Sequence, residues 1–185
     1  MRITSGEFKG RRLNVPPGDL IRPTTDKIRQ AIFNILLQYG LPDGAQVLDA
    51  FCGSGALGLE ALSRGAEHCI FMDIHKASLE CARNNAAPIN VAGCTEFLLK
   101  DATKLGQKPV VLGAADLVFI DPPYRQGLVD PAIRALVENG WVDQGALVVI
   151  EREHDAPDDI QVEGFDLLDS RHYGDTRIEI LMRNP

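Results

Sequence analysis

The chain has 185 residues, 45% hydrophobic and 24% charged, which suits one domain with a sizeable core and excludes disordered, fibrous or disulfide-framed classes. Its four cysteines, Cys52, Cys69, Cys81 and Cys94, form no Cys-x-x-Cys pair, and no apolar run approaches the roughly 20 residues that cross a bilayer. A soluble, cytoplasmic protein with reduced thiols is therefore expected, with no membrane association and no metal site. The net charge of −7 disfavours indiscriminate nucleic-acid binding, yet residues 1–30 carry seven Arg or Lys against three Asp or Glu. A small basic segment on an acidic body offers phosphates one local docking face.

In chain order, Met1–Val15 alternates and is interrupted by Gly6 and Gly10, which predicts a short β-hairpin. Ile28, Ala31, Ile32, Ile35 and Leu36 then recur at helical spacing, so a helix starts near Thr24 or Thr25 as N-cap and stops at Gly40 and Pro42. From there strands and helices alternate: Gln46–Ala50 strand, Ala56–Arg64 helix, His68–Met72 strand, Lys76–Asn85 helix, Thr95–Leu99 and Leu117–Ile120 strands, Pro131–Asn139 helix, Ala146–Ile150 strand. The pattern predicts an α/β fold, a Rossmann-like doubly wound and mainly parallel sheet. Phe165–Ser170 and Arg177–Met182 flank a turn at Tyr173-Gly174-Asp175 and read as an antiparallel hairpin closing the sheet edge. Residues 1–40 would form an N-terminal hairpin-and-helix appendage and residues 41–185 the catalytic domain.

Ligands of such sheets sit at the carboxyl ends of the strands. Gly53-Ser54-Gly55-Ala56-Leu57-Gly58 matches G-x-G-x-x-G, with Asp73 ending the next strand, so a dinucleotide must be weighed. Asp49 discriminates: a carboxylate just ahead of the glycine turn repels a pyrophosphate but suits a cofactor bearing an ammonium and a sulfonium, S-adenosylmethionine. Gly53 and Gly55 let the backbone approach the methionine part, and Asp73 can accept from both ribose hydroxyls. Asp101 can accept from the adenine amino group while the Ala102 amide faces the ring. Phe51 and Ile74, beside these motifs, complete the expected cofactor-binding set.

Asp121-Pro122-Pro123-Tyr124 follows the apolar run Leu117–Ile120. Consecutive prolines lack N–H groups and force their predecessors extended, so carbonyls beside Asp121 are held outward. A carboxylate and a carbonyl that each accept one N–H bond can bias a planar exocyclic amine toward tetrahedral character, its lone pair facing a sulfonium methyl. Tyr124 offers a face for a base taken out of its stack. His75 and His154 read as junction or surface groups, Trp141 as a core anchor, and Cys52 lacks a basic partner for nucleophilic work. Read this way, the residues reach a methyl donor and a planar amine. DNA adenine-N6, a protein amide, a nicotinamide-dependent oxidoreductase and an inactive RNA-binding assembly factor stay open as alternatives.

The chain resembles the bacterial RsmD family, 16S ribosomal RNA guanine-N2 methyltransferases of the Rossmann-like S-adenosylmethionine-dependent class. The resemblance rests on Arg2–Arg11, Arg22-Pro23-Thr24-Thr25-Asp26-Lys27-Ile28-Arg29 running to Asn34, Leu48–Gly55, Asp121–Tyr124 and Tyr173-Gly174-Asp175-Thr176. It implies that Asp49, Gly53, Gly55, Asp73 and Asp101 hold the cofactor, that Asp121 and Pro122 orient the guanine amine, and that Tyr124 stacks on the base. It also implies that Arg22, Thr24 and Thr25 lie on the RNA side, where Lys9, Arg11, Arg12 and Arg29 of the basic segment are expected as well. The implied partner is 16S rRNA, free or within the small ribosomal subunit, with no obligate protein partner. Asp73 stands where a longer Glu is more usual in the family.

Overall fold

Apolar residues on both faces of short strands are what a sheet buried between helices requires, and a computed structural model of the chain, describing residues 1–16, 25–156 and 162–185, has that layering. Helix α1 (Asp26–Leu36) leads to β1 (Gln46–Asp49), α2 (Ala56–Ser63), β2 (His68–Asp73), α3 (Lys76–Ala86) and β3 (Thr95–Leu99). There follow β4 (Ala115–Ile120), α4 (Val129–Glu138), β5 (Val142–Glu153), β6 (Phe165–Tyr173) and β7 (Thr176–Arg183). The strands form one sheet in the order β3-β2-β1-β4-β5-β7-β6. Neighbours from β3 through β5 are parallel, while β7 pairs antiparallel with both β5 and β6. The chain winds outward from β1 through β2 to β3 and then returns to β4 on the other side of β1, so the winding reverses between β1 and β4. That crevice is where open α/β sheets bind ligands.

Side chains alternate faces along a strand, and the core divides accordingly. Val47, Phe71, Leu117 and Phe119 join α1, α2 and α3 on one face. On the other, Leu48, Met72, Val118 and Ile120 meet α4 and Trp141.

Helix α2 is buried all round, Glu60 and Ser63 included, because the sheet covers one side and residues 1–13 and α1 the other. Gly58 is required there for packing: a Cβ on it would stand 2.4 Å from Phe71 Cε1 and 2.6 Å from Cys69 Sγ.

The hairpin expected over Met1–Val15 forms no regular strands and is reduced to one antiparallel bridge between Arg2 and Arg12 around a tight turn. Its arms meet through Ile3 N–H to Arg11 O at 2.9 Å, Gly10 N–H to Ile3 O at 2.9 Å and Leu13 N–H to Met1 O at 3.1 Å. Much of its remaining backbone is satisfied by α2: the amides of Thr4 and Ser5 donate to the Glu60 carboxylate at 2.7 and 3.0 Å. Glu7 N–H reaches Ser63 O at 2.7 Å, and Phe8 N–H reaches Ser63 Oγ at 2.9 Å. Gly6 touches α2 so closely that a Cβ would lie 1.7 Å from Ser63 O.

Several elements are longer than their sequence pattern suggested, β5 and α4 among them. Strand β5 begins at Val142 rather than Ala146, its first residues paired with Ala115 through a register shift and exposed at Asp143–Gly145, so no alternation marks them. Helix α4 begins at Val129, with Pro131 in its first turn, where a missing N–H costs nothing.

Candidate active site

The carboxyl ends of β1, β2 and β4 and the turn after β3 bring together Asp49, Asp73, Asp121 and Asp101 along one edge of the sheet. Asp49 pairs in register with Phe119, two residues before Asp121, so the two acids flank the reversal point from adjacent strands.

On the β1 side the loop after Asp49 is held by backbone hydrogen bonds in both directions, Ala50 N–H to Phe119 O at 3.0 Å and Cys52 N–H to Met72 O at 2.9 Å. Asp49 is 2% exposed and its Oδ2 accepts the Gly58 amide at 3.0 Å. Burial, offset by that amide and reinforced by the Asp73 charge, pushes its carboxyl up to about 7. A buried carboxyl so far above its ordinary range gains by ionising beside a cation. Asp73 is also buried, and its oxygens accept the amides of Gly53 at 3.0 Å and His75 at 2.8 Å. Each carboxylate oxygen retains a second lone pair for a hydroxyl donor.

Gly53 and Gly55 both take the left-handed backbone, with φ of 51° and 77°, but they serve different ends. A Cβ on Gly55 would press on Ala82 Cβ at 3.0 Å and Phe71 Cε1 at 3.2 Å, whereas a Cβ on Gly53 would meet nothing within 4 Å. Gly55 fits the turn to the helices beneath; Gly53 leaves the outer side of the loop open for a ligand to approach. These residues fit S-adenosylmethionine: a deep acid whose carboxyl burial pushes up, an open glycine turn and a carboxylate at the end of the next strand. Phe51 lies half-buried against the α4-side core and Ile74 is exposed. Ala102 is buried. Asp101 caps its own turn, its Oδ1 accepting Thr103 N–H at 2.9 Å and Thr103 Oγ1 at 2.6 Å, bonds that with Lys104 hold its carboxyl below the usual range. Its Oδ2 lies 3.8 Å from Lys104 Nζ. The Cys52 thiol is pushed well up by burial, which leaves it inert.

On the β4 side Asp121 is half-buried, Pro122 buried and Pro123 exposed. Tyr124 is half-buried, and its hydroxyl lies 2.9 Å from Thr176 Oγ1 and 3.3 Å from Glu151 Oε1. Burial pushes the phenol up to about 12, so it keeps its proton at neutral pH.

Of the residues expected on the RNA side, Lys9, Arg11 and Arg12 are exposed together on residues 1–16, and Thr25 is exposed with its Oγ1 capping α1 at the Ile28 amide, 3.3 Å away. Arg22 and Thr24 lie outside the described residues. Arg29 is a correction: its side chain is fully buried. It donates to Asp26 at 2.7 Å and to Arg2 O at 2.5 Å, and reaches Glu60 at 3.4 Å. A guanidinium committed to those three partners under α1 presents nothing to a phosphate.

Four contributors were not singled out in the sequence. Glu60 gathers Thr4, Ser5, Arg29 and Arg64; its signal was one acid inside an otherwise apolar helix. Asn85 accepts Asn14 N–H at 2.8 Å and donates to Asn14 O at 3.0 Å and to Ser54 O at 2.8 Å. It thus joins the end of the N-terminal segment to the glycine loop, and an Asn within a helix gives no hint of that. Glu151 and Thr176 anchor Tyr124; Thr176 carries a signal only as part of Tyr173-Gly174-Asp175-Thr176.

No helix among the described residues is long and apolar enough to cross a membrane.

The family described as Conserved hypothetical protein 95 matches residues 1–182. The chain is 38% identical over 153 residues to ribosomal RNA small subunit methyltransferase D of Escherichia coli K12, covering 83% of this chain and 75% of that protein. It is 35% identical over 167 residues to the Haemophilus influenzae protein of the same name, covering 85% and 81%. Among solved structures, Escherichia coli yhhF superposes with a TM-score of 0.84 at 34% identity, covering 100% of this chain and 98% of that one.

Proposed function

Because the chain belongs to the Conserved hypothetical protein 95 family, the RsmD family it resembles in sequence, we propose that it is a ribosomal RNA methyltransferase of the small subunit. In this reading it uses S-adenosylmethionine to methylate the exocyclic N2 amine of a guanine in 16S rRNA. The observation that carries this reading is the pairing, across the β1/β4 reversal, of a deep acid beside an open glycine turn with an acid followed by two prolines. The names of the relatives support rRNA as substrate; the chemistry of Asp121–Tyr124 supports an amine as acceptor.

When bound, the cofactor supplies an electrophilic methyl on a sulfonium. Asp49 answers its ammonium, the open side of Gly53 admits its methionine chain, Asp73 accepts from its ribose, and Asp101 with the Ala102 amide meets its adenine. Phe51 and Ile74 line the ring. Asp121 and the Pro122 carbonyl each accept one N–H of the guanine amine, turning its lone pair toward the donor, and Tyr124 stacks on the base. Alignment and these two acceptors provide the rate, since a displacement between positioned atoms needs no covalent intermediate. The proton lost from the methylated nitrogen passes to Asp121 or to water. Lys9, Arg11 and Arg12 give the 1–40 region its phosphate-facing charge.

The test is methyl incorporation from labelled S-adenosylmethionine into 16S rRNA, naked and within the small subunit from cells lacking the enzyme, followed by nucleoside mass analysis. N2-methylguanosine is the expected product. Tight cofactor binding without incorporation into either substrate would overturn the substrate while leaving the donor site intact.

A further inference from the structure

The last residue of the Tyr173-Gly174-Asp175-Thr176 turn reaches the acceptor loop from the hairpin at the far edge of the sheet. Strands β6 and β7 are joined by two residues, with Gly174 at φ 61°, the arrangement that places glycine first in a tight hairpin. Thr176 then pairs with Tyr173 on β6 and with Glu153 on β5. His154 N–H donates to Asp175 O at 2.8 Å, tying the turn back to the end of β5. Thr176 is 4% exposed and sits in the middle strand of three, so its hydroxyl has a fixed position.

Tyr124 donates to Glu151 Oε1 at 3.3 Å, and a phenol that gives its one proton there has its oxygen left to accept from Thr176 Oγ1, 2.9 Å away. A second tie, from Arg125 N–H to the Glu153 carboxylate, holds the residue after Tyr124 to the same strand. Arg125 itself adopts φ 62°, a conformation a side-chain-bearing residue takes only when its surroundings impose it.

We propose that Thr176 and Glu151 are positioning residues for base recognition: the hydrogen-bond chain Thr176 to Tyr124 to Glu151 fixes the tyrosine ring against which the acceptor base stacks. The C-terminal hairpin is thereby part of the acceptor site. The phenolic O–H prefers the ring plane, so hydrogen bonds at the hydroxyl hold the axis of the ring in place and restrain its rotation, and part of the stacking entropy is lost on folding rather than on binding. This rests on the assignment of Tyr124 as the stacking face under the proposed function.

The experiment compares wild type with Thr176→Val, Thr176→Ser, Tyr124→Phe and the Val/Phe double variant. Valine keeps the branched shape suited to a strand while removing the hydroxyl. Steady-state methylation of small-subunit rRNA should show kcat/KM lowered about three- to tenfold by Thr176→Val, as expected for one hydrogen bond, at unchanged cofactor Kd, and restored by Thr176→Ser. The double variant should lose no more than Tyr124→Phe alone, because both break one chain. In ligand-free protein the 13Cζ signal of Tyr124 should move in Thr176→Val and return in Thr176→Ser. Losses that multiply in the double variant, a Thr176→Val enzyme equal to wild type, or cofactor affinity falling in step with activity would each overturn the proposal. An unmoved Cζ signal overturns the chain itself whatever the substrate, whereas wild-type protein that methylates no guanine overturns the substrate reading, so the two failures are separable.

Discussion

The two halves of the site are built by different means. Around Asp49 and Asp73, the ties run to backbone amides from the same stretch of chain: Gly58, Gly53 and His75, between 2 and 20 residues away. Around Tyr124 they run between side chains, to Glu151 and Thr176, 27 and 52 residues along the chain and on two other strands. A donor pocket made of local backbone takes its hydrogen bonds from main-chain amides of neighbouring turns rather than from side chains brought in from afar. An acceptor platform made of distant side chains can be tuned by strands that never touch the donor.

The comparison breaks most sharply at Asp121. Asp121→Ala should lower methyl transfer by about a thousandfold or more, the scale of losing a preorganised group at the reacting atom, while cofactor Kd by calorimetry stays within a few-fold. Retained turnover would remove Asp121 from the acceptor role.

Removing Glu60 strikes the join between the N-terminal segment, α1 and α2. Glu60→Ala leaves Arg29 buried beside an empty place and frees the Thr4 and Ser5 amides. Breaking such a pair costs about 3–5 kcal/mol, which denaturant unfolding would read directly. A change below about 1 kcal/mol would mean that the N-terminal segment holds to α2 by its apolar packing alone.

Asp49→Asn tests the donor half by itself. Asparagine can still accept the Gly58 amide, so the loop keeps its shape and loses only the charge. Cofactor affinity should fall about tenfold, the order of one charge-assisted hydrogen bond. In wild type the carboxyl sits at about 7 against an ordinary 3.8. Raising the pH through that window ionises Asp49 where the fold resists it, so its contribution to stability declines as pH rises, while affinity for a cationic ligand climbs and levels off above 7. The variant should show neither slope. An unchanged pH profile of cofactor binding would assign the titration elsewhere.

How much of this was legible in the sequence follows the same division. The glycine turn, Asp49, Asp73 and the Asp-Pro-Pro-Tyr element could be read because each is a contiguous motif whose spacing carries its geometry. The mainly parallel, doubly wound character of the sheet followed from alternation of strand and helix. What could not be read was long-range: Asn85 reaching Ser54, Thr176 reaching Tyr124, and above all the fate of Arg29. A basic residue one turn into a helix looks like a surface charge until the burial of Glu60 and the position of Asp26 are known, and those depend on residues 1–13 folding over α2. Sequence distance, rather than chemistry, hid them.

Arg29's burial leaves Lys9, Arg11 and Arg12 as the exposed basic residues among those expected on the RNA side within the described residues, which sharpens the smallest expected effect. Charge reversal of Arg11 and Arg12 together should weaken rRNA binding and flatten its dependence on salt, by about 0.7–0.9 in the log–log slope for each phosphate no longer neutralised. Cofactor affinity and thermal stability should hold, since both side chains are exposed. A charge change at Arg29 should do the opposite, lowering stability before it touches the salt slope. If reversal at Arg11 and Arg12 leaves the slope unchanged, phosphates are met elsewhere, and the hairpin serves α2 rather than RNA.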